Sequence, residues 1–134
     1  MPDPTSVGLL DTSAVIDLDL LDRNVLPDDV AIAAITLAEL SAGPARAATQ
    51  DERVRRQLRL QQVESPFEPI PFGVPEARAY ARVHAAALAS GRQPRRRFAD
   101  LLIASTALAN SLALVTRNPD DFRGLEDLVD VITV

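Results

Sequence analysis

The chain of 134 residues contains no cysteine, no lysine and no tryptophan, and a single histidine, His84. Without cysteine it has neither a disulfide framework nor a thiolate metal site. One imidazole excludes a metal centre built mainly from histidines. Aromatic residues are limited to Tyr80 and four phenylalanines, mostly within apolar runs, so base stacking is not expected to dominate any nucleic-acid recognition. No apolar run approaches the roughly 20 residues needed to cross a bilayer. The N-terminal MPDPTSVG is acidic and lacks the basic and apolar regions of a signal peptide. A cytoplasmic protein without membrane association is expected.

What is present reads as one ordinary globular domain spanning residues 1–134. Hydrophobic residues make up 47% and charged residues 25%, which suits a single buried core at this length. Net charge is −5, from 14 basic residues, all arginine, against 19 acidic. That balance does not advertise a nucleic-acid binder. The positives are nevertheless grouped, with Arg53, Arg55, Arg56 and Arg59 in one cluster and Arg92, Arg95, Arg96 and Arg97 in another. If a few acids are committed to a metal ion, the remainder is close to neutral.

Hydrophobic patterning predicts strands at VGLL, at Val30–Ile35, at FEPIPF near a sheet edge, at LALVT and at VDVITV. Between them lie helices at Ser13–Leu21, from a Thr36 cap to Gly43, at Thr49–Val63, at Pro75–Ser90 and along FADLLIASTALANS, with one helical turn at NPDDF. Strands alternating with helices predict an α/β fold, three layers with a central parallel sheet of about five strands.

Four acids stand at comparable places in that scheme: Asp11 in LLDTS, Glu39 in TLAEL, Asp100 in RRRFADLLIA and Asp121 in TRNPDDF. Each has an ordinary structural reading. Asp11 can cap the helix that follows. Thr36 and Glu39 match a capping box, and Asn118-Pro119 an asparagine cap with proline at the first helical position. Asp100 can pair with Arg96 or Arg97 one turn earlier. Capping does not explain why all four fall beside the most apolar segments, on the edge where strand carboxyl ends gather and ligands bind. Carboxylates brought together raise one another's pKa unless a cation intervenes, and hard divalent ions take oxygen ligands. Such a set is suited to one or two Mg²⁺ ions, with Mn²⁺ as a substitute, for phosphodiester chemistry.

At these residues the sequence resembles the PIN-domain ribonucleases and, within them, the VapC toxins of VapBC toxin–antitoxin pairs. LLDTSAVIDL, ITLAEL, FADLLIASTALANSLALVTRNPDDF and the short final strand occur in that family's order and spacing. The resemblance implies a PIN-like fold and the toxin of a type II system. Its implied activity is a magnesium-dependent endoribonuclease that cuts RNA, tRNA or rRNA above all, by metal-activated water. It also implies a VapB-type antitoxin, a homodimer and a hetero-oligomer with the antitoxin. Carried over by motif, the catalytic and metal-binding acids are Asp11, Glu39, Asp100 and Asp121. Asp11 and Asp100 would take the main metal; Glu39 and Asp121 would take a second ion or act through water. Thr12, Ser13, Thr116 and Asn118 match supporting polar positions, Thr12 and Ser13 orienting Asp11 or a water. Asn118 is neutral where some relatives carry an acid.

Arg92, Arg95, Arg96 and Arg97 directly precede the Asp100 helix and, with Arg117, are candidates to hold RNA phosphates. The Arg53–Arg59 cluster reads as a solvated helix face or part of an antitoxin-binding surface. His84 falls outside every motif. Receiver domains and haloacid-type phosphatases also place an acid after the first strand, but both hold the phosphoryl group with a lysine, which this chain lacks. The other alternative is a catalytically silent PIN-like module that binds RNA or protein.

Overall fold

The strand foreseen ahead of Asp11 is β1 (Val7–Leu10), and with β2 (Asp29–Ile32), β3 (Ala113–Thr116) and β4 (Val131–Thr133) it builds one wholly parallel sheet in the order β2-β1-β3-β4. The computed structural model describes residues 7–134; the stretch from Met1 to Ser6, the acidic end read as lacking signal-peptide features, lies outside the described residues. Five helices cover the sheet: α1 (Thr12–Ile16), α2 (Ala34–Ala42), α3 (Gln50–Glu64), α4 (Val74–Ala89) and α5 (Phe98–Ala109).

Alternation along the strands produces the layers. Leu9 and Leu114 point to one face and join Val83, Ala87, Leu101, Ile103, Ala104, Ala107 and Phe122, so α4 and α5 cover that side. Leu10, Ile32 and Val115 point to the other and meet Ala14, Val15, Leu40 and Val63 from α1, α2 and α3. The result is the expected three-layer α/β/α arrangement. Packing along β1 is close. A Cβ added at Gly8 would lie 2.7 Å from side-chain carbons of both Pro27 and Val115, which leaves room for glycine alone without displacement.

The fifth strand is reduced to a single bridge, Ala33 with Ile70. Ile70 donates to Ile32 O at 2.9 Å and accepts from Ala34 N at 2.8 Å. Pro69 and Pro71 flank it, and neither can donate to a ladder, so pairing stops after one residue. The capping box foreseen at Thr36 does not form either. α2 begins three residues earlier, with Ala33 as its cap residue, and leaves Thr36 inside the helix and fully buried. The helix foreseen over Ser13–Leu21 is broken into α1 and a 3₁₀ turn at Leu18–Leu20. The Thr49 cap of α3 forms as its sequence suggests, its hydroxyl accepting from Glu52 N at 3.1 Å. Among the described residues, no helix is long and apolar enough to cross a membrane.

β1 is followed in sequence by its neighbour on one side, β2, and later by its neighbour on the other, β3. The carboxyl ends of β1 and β3 therefore mark a switch point of the sheet, where open α/β folds place ligands. Asp11 directly follows one of these strands and Thr116 ends the other.

Candidate active site

Asp11 is almost wholly buried and its carboxylate is fully engaged. Oδ1 accepts from the backbone N–H of Ala14 at 2.9 Å and from the Ser13 hydroxyl at 2.7 Å; Oδ2 accepts from the Thr116 hydroxyl at 2.5 Å. The capping role and the site role thus coincide. Asp11 N also donates to Val115 O at 2.9 Å, continuing the β1–β3 ladder into the site. Thr116 Oγ1 and Ser13 Oγ in turn accept from Asn118 N at 2.9 Å and Arg117 N at 3.2 Å, so the loop after β3 closes over Asp11. Asn118 contributes through its main chain, and its side chain forms no cap on the 3₁₀ turn Pro119–Phe122.

Glu39 lies one turn into α2, exposed, and accepts from the Thr12 hydroxyl at 2.5 Å. The two hydroxyls of the DTS motif therefore divide their work: Ser13 holds Asp11, whereas Thr12 holds Glu39. Thr12 also stands 3.4 Å from the buried hydroxyl of Thr36. Thr36 supports the site as well, a role hidden in the sequence because it mimics a helix cap.

Asp100, in the first turn of α5, and Asp121, in the 3₁₀ turn after β3, are half-buried and joined by Arg97. The Arg97 guanidinium forms a short ion pair with Asp121 and lies 3.9 Å from Asp100 Oδ2. Burial, and then the charges of Asp121, Glu39 and Asp11, push the Asp100 carboxyl up to about 6, with Arg97 opposing them. The charges of the other three acids therefore reach Asp100 through space.

They do not converge as tightly as that placement suggested. Among the described residues, no three acidic or histidine side chains stand together in a ligand group for one metal ion. Three of the four have a nearer partner: Asp11 the hydroxyls, Glu39 Thr12, and Asp121 Arg97. The donor set still fits a hard divalent cation. All four groups supply anionic oxygen, and a cation offsets the mutual repulsion that burdens Asp100.

Of the arginines ahead of α5, Arg92 is consumed by the fold. It donates to Asp121 O at 2.8 Å and also to Asp120 O, which pins the turn bearing Asp121. Arg97 is held between the two aspartates. Arg95 and Arg96 are exposed in the 3₁₀ turn Pro94–Arg97 and make no ion pair among the described residues. Arg117 pairs with Asp17 at 3.4 Å.

The sequence profile of the PIN domain matches residues 9–128, a span holding all four acids. This chain belongs to the PIN-domain family, in its VapC branch. It is 38% identical over 129 residues to Ribonuclease VapC5 of Mycobacterium tuberculosis, covering 94% of this chain and 93% of that protein. Ribonuclease VapC1 of Rickettsia felis is 32% identical over 107 residues, covering 77% and 75%. Among solved structures, the VapBC-5 toxin–antitoxin complex of M. tuberculosis contains a chain that superimposes with a TM-score of 0.85 at 38% identity, covering 96% of this chain and 99% of that one. PIN-domain membership accounts for the parallel sheet flanked by helices.

Proposed function

We propose that this chain is the toxin of a type II toxin–antitoxin pair and acts as an endoribonuclease on tRNA or rRNA in the cytoplasm. Magnesium, with manganese as a substitute, would be held by Asp11, Glu39, Asp100 and Asp121. The observation that carries this reading is the Asp100 carboxyl, raised to about 6 by burial and by three other carboxylates at the switch point of a PIN-domain sheet. A bound divalent cation supplies Lewis acidity, making water nucleophilic near neutral pH and offsetting charge on the phosphate.

The chain's own residues do the positioning. Thr116, Ser13 and Ala14 N fix both oxygens of Asp11, and Thr12 orients Glu39. Arg92 fixes the turn that presents Asp121. Arg95, Arg96 and Arg117 lie on the exposed rim, where they would contact RNA phosphates. A VapB-type antitoxin is the proposed partner, supported by similarity to the toxin of a VapBC complex. A homodimer, and a hetero-oligomer with the antitoxin, complete the proposed assemblies.

Incubating the purified chain with labelled RNA in magnesium and in chelator tests this. Cleavage confined to the divalent cation is expected, leaving 5′-phosphate and 3′-hydroxyl ends because water is the nucleophile. Asp11→Asn and Asp100→Asn should both be inactive. Cyclic 2′,3′-phosphate ends would sink the water mechanism. RNA binding without cleavage in either cation would make the chain a silent binding module.

A further inference from the structure

Helix α3 carries a charged face turned toward the body of the protein. Glu52, Arg55, Arg56 and Arg59 recur at the helical spacing that ordinarily forms an apolar stripe. In the structure these four line a cleft of about 470 Å³ between α3 and the C-terminal end of α2. Arg46, from the 3₁₀ turn Pro44–Arg46, joins them, and at its other end the cleft is bounded by Thr12 and Glu39. A mainly cationic wall therefore shares its cleft with Glu39 of the candidate site.

The arginines have different duties. Arg56 forms a short ion pair with Glu52 and donates to Gly43 O at 2.8 Å, so it fastens α3 to the end of α2. Arg46, Arg55 and Arg59 make no ion pair with any carboxylate among the described residues. Arg55 and Arg59 stand one turn apart on α3, an arrangement of like charges that weakens a helix. Large apolar groups in the lining are limited to Ile16 and the buried Leu40, too few to seat an amphipathic helix. Three uncommitted cations in a concave wall raise the local concentration of anions.

We propose that Arg46, Arg55 and Arg59 form a phosphate-binding subsite that holds the backbone of single-stranded RNA and leads it past Thr12 and Glu39 to the point of cleavage. The subsite rests on the ribonuclease reading and adds to it a second side of approach, the α2–α3 side, beyond the rim formed by Arg95, Arg96 and Arg117. Guanidinium groups suit this work because they meet phosphate oxygens with two parallel hydrogen bonds. They also attract RNA where the neighbouring acids repel it.

The test compares the wild-type chain with the double variant Arg55→Gln/Arg59→Gln, using Arg53→Gln as a control on the same helix outside the cleft. With a short fluorescein-labelled single-stranded RNA in magnesium, the double variant should raise KM by about tenfold while kcat changes little. Anisotropy titrations without divalent ions should give a plot of log Kd against log salt that is shallower by about 1.4, two lost contacts at ~0.7 each for a single strand. The control should match wild type in both. Unchanged KM and slope in the double variant, with wild-type cleavage intact, overturn the subsite but leave the ribonuclease reading standing. Absence of wild-type cleavage in any divalent cation overturns that reading, while the binding arm still judges the cleft. Lost affinity for the antitoxin with RNA affinity unchanged assigns the cleft to an acidic protein segment and also overturns the proposal. If the double variant melts below the assay temperature, Arg59→Gln alone should show half the change in slope.

Discussion

The two sides of the active site are built on opposite physical terms. Around Asp11, three donors meet one buried carboxylate, two of its supporting hydroxyls accept further bonds from the loop, and the backbone joins the sheet. Around Asp100, a half-buried carboxylate has no hydrogen-bond donor among the described residues, apart from Arg97 at 3.9 Å, and three like charges act on it. The first side stabilises the fold whether or not anything binds. The second costs the fold stability at neutral pH, a cost that the proposed cation would offset. One residue type, aspartate, serves as a structural anchor in one place and as a destabilised carboxylate in the other.

Substitutions at the two positions should agree in activity and disagree in stability. Asp11→Asn and Asp100→Asn should each reduce RNA cleavage by roughly 10³-fold or more, because losing a metal ligand forfeits several kcal/mol of transition-state stabilisation. Denaturant melts of the cation-free protein should then separate them. Asp11→Ala should cost about 2–4 kcal/mol, since the Thr116 and Ser13 hydroxyls and Ala14 N lose their acceptor. Asp100→Asn should instead stabilise by about 1–3 kcal/mol at pH 8. Changes of the same sign at the two positions, two losses or two gains, would break the contrast.

Thr116→Val sharpens it. Removing the hydroxyl that aims Asp11 should cost about 1–3 kcal/mol in stability and 10- to 100-fold in metal affinity or activity, measured by calorimetry with manganese. Acidity offers a gentler probe. The unfolded chain releases the Asp100 proton near 3.8, whereas the folded chain holds it to about 6. The folded state thus binds more protons across that window, and Asp100's contribution to stability falls as pH rises through it. Manganese should accordingly raise the melting temperature more at pH 7.5 than at pH 5. The smallest effect belongs to Arg97→Gln, expected to change stability by less than about 1 kcal/mol because the pair is partly exposed.

Much of this was legible before any coordinates. Alternating apolar strands and helices announced the parallel α/β sheet, and LLDTS, TLAEL, FADLL and TRNPDDF located the four acids in order. Misreadings arose where one pattern serves two purposes. Thr36-Leu-Ala-Glu39 spells a capping box, yet tertiary packing starts the helix earlier and buries the threonine. FEPIPF is apolar enough for a strand, but its prolines deny it a ladder. The arginines were the least legible, since sequence proximity to Asp100 favoured Arg92 and Arg97, which the fold itself employs. Arg55 and Arg59, distant in sequence, reach the Glu39 side of the site only because α3 folds back along α2.

The hydrogen bond from the Asp11 amide to Val115 carries a consequence for control. An amide bonded between central strands belongs to the better protected part of a domain. The floor of this site is therefore held more firmly than its rim. On the proposed function, an inhibitor that occupied or discharged Glu39, Asp100 and Asp121 would act at the rim and leave this floor in place.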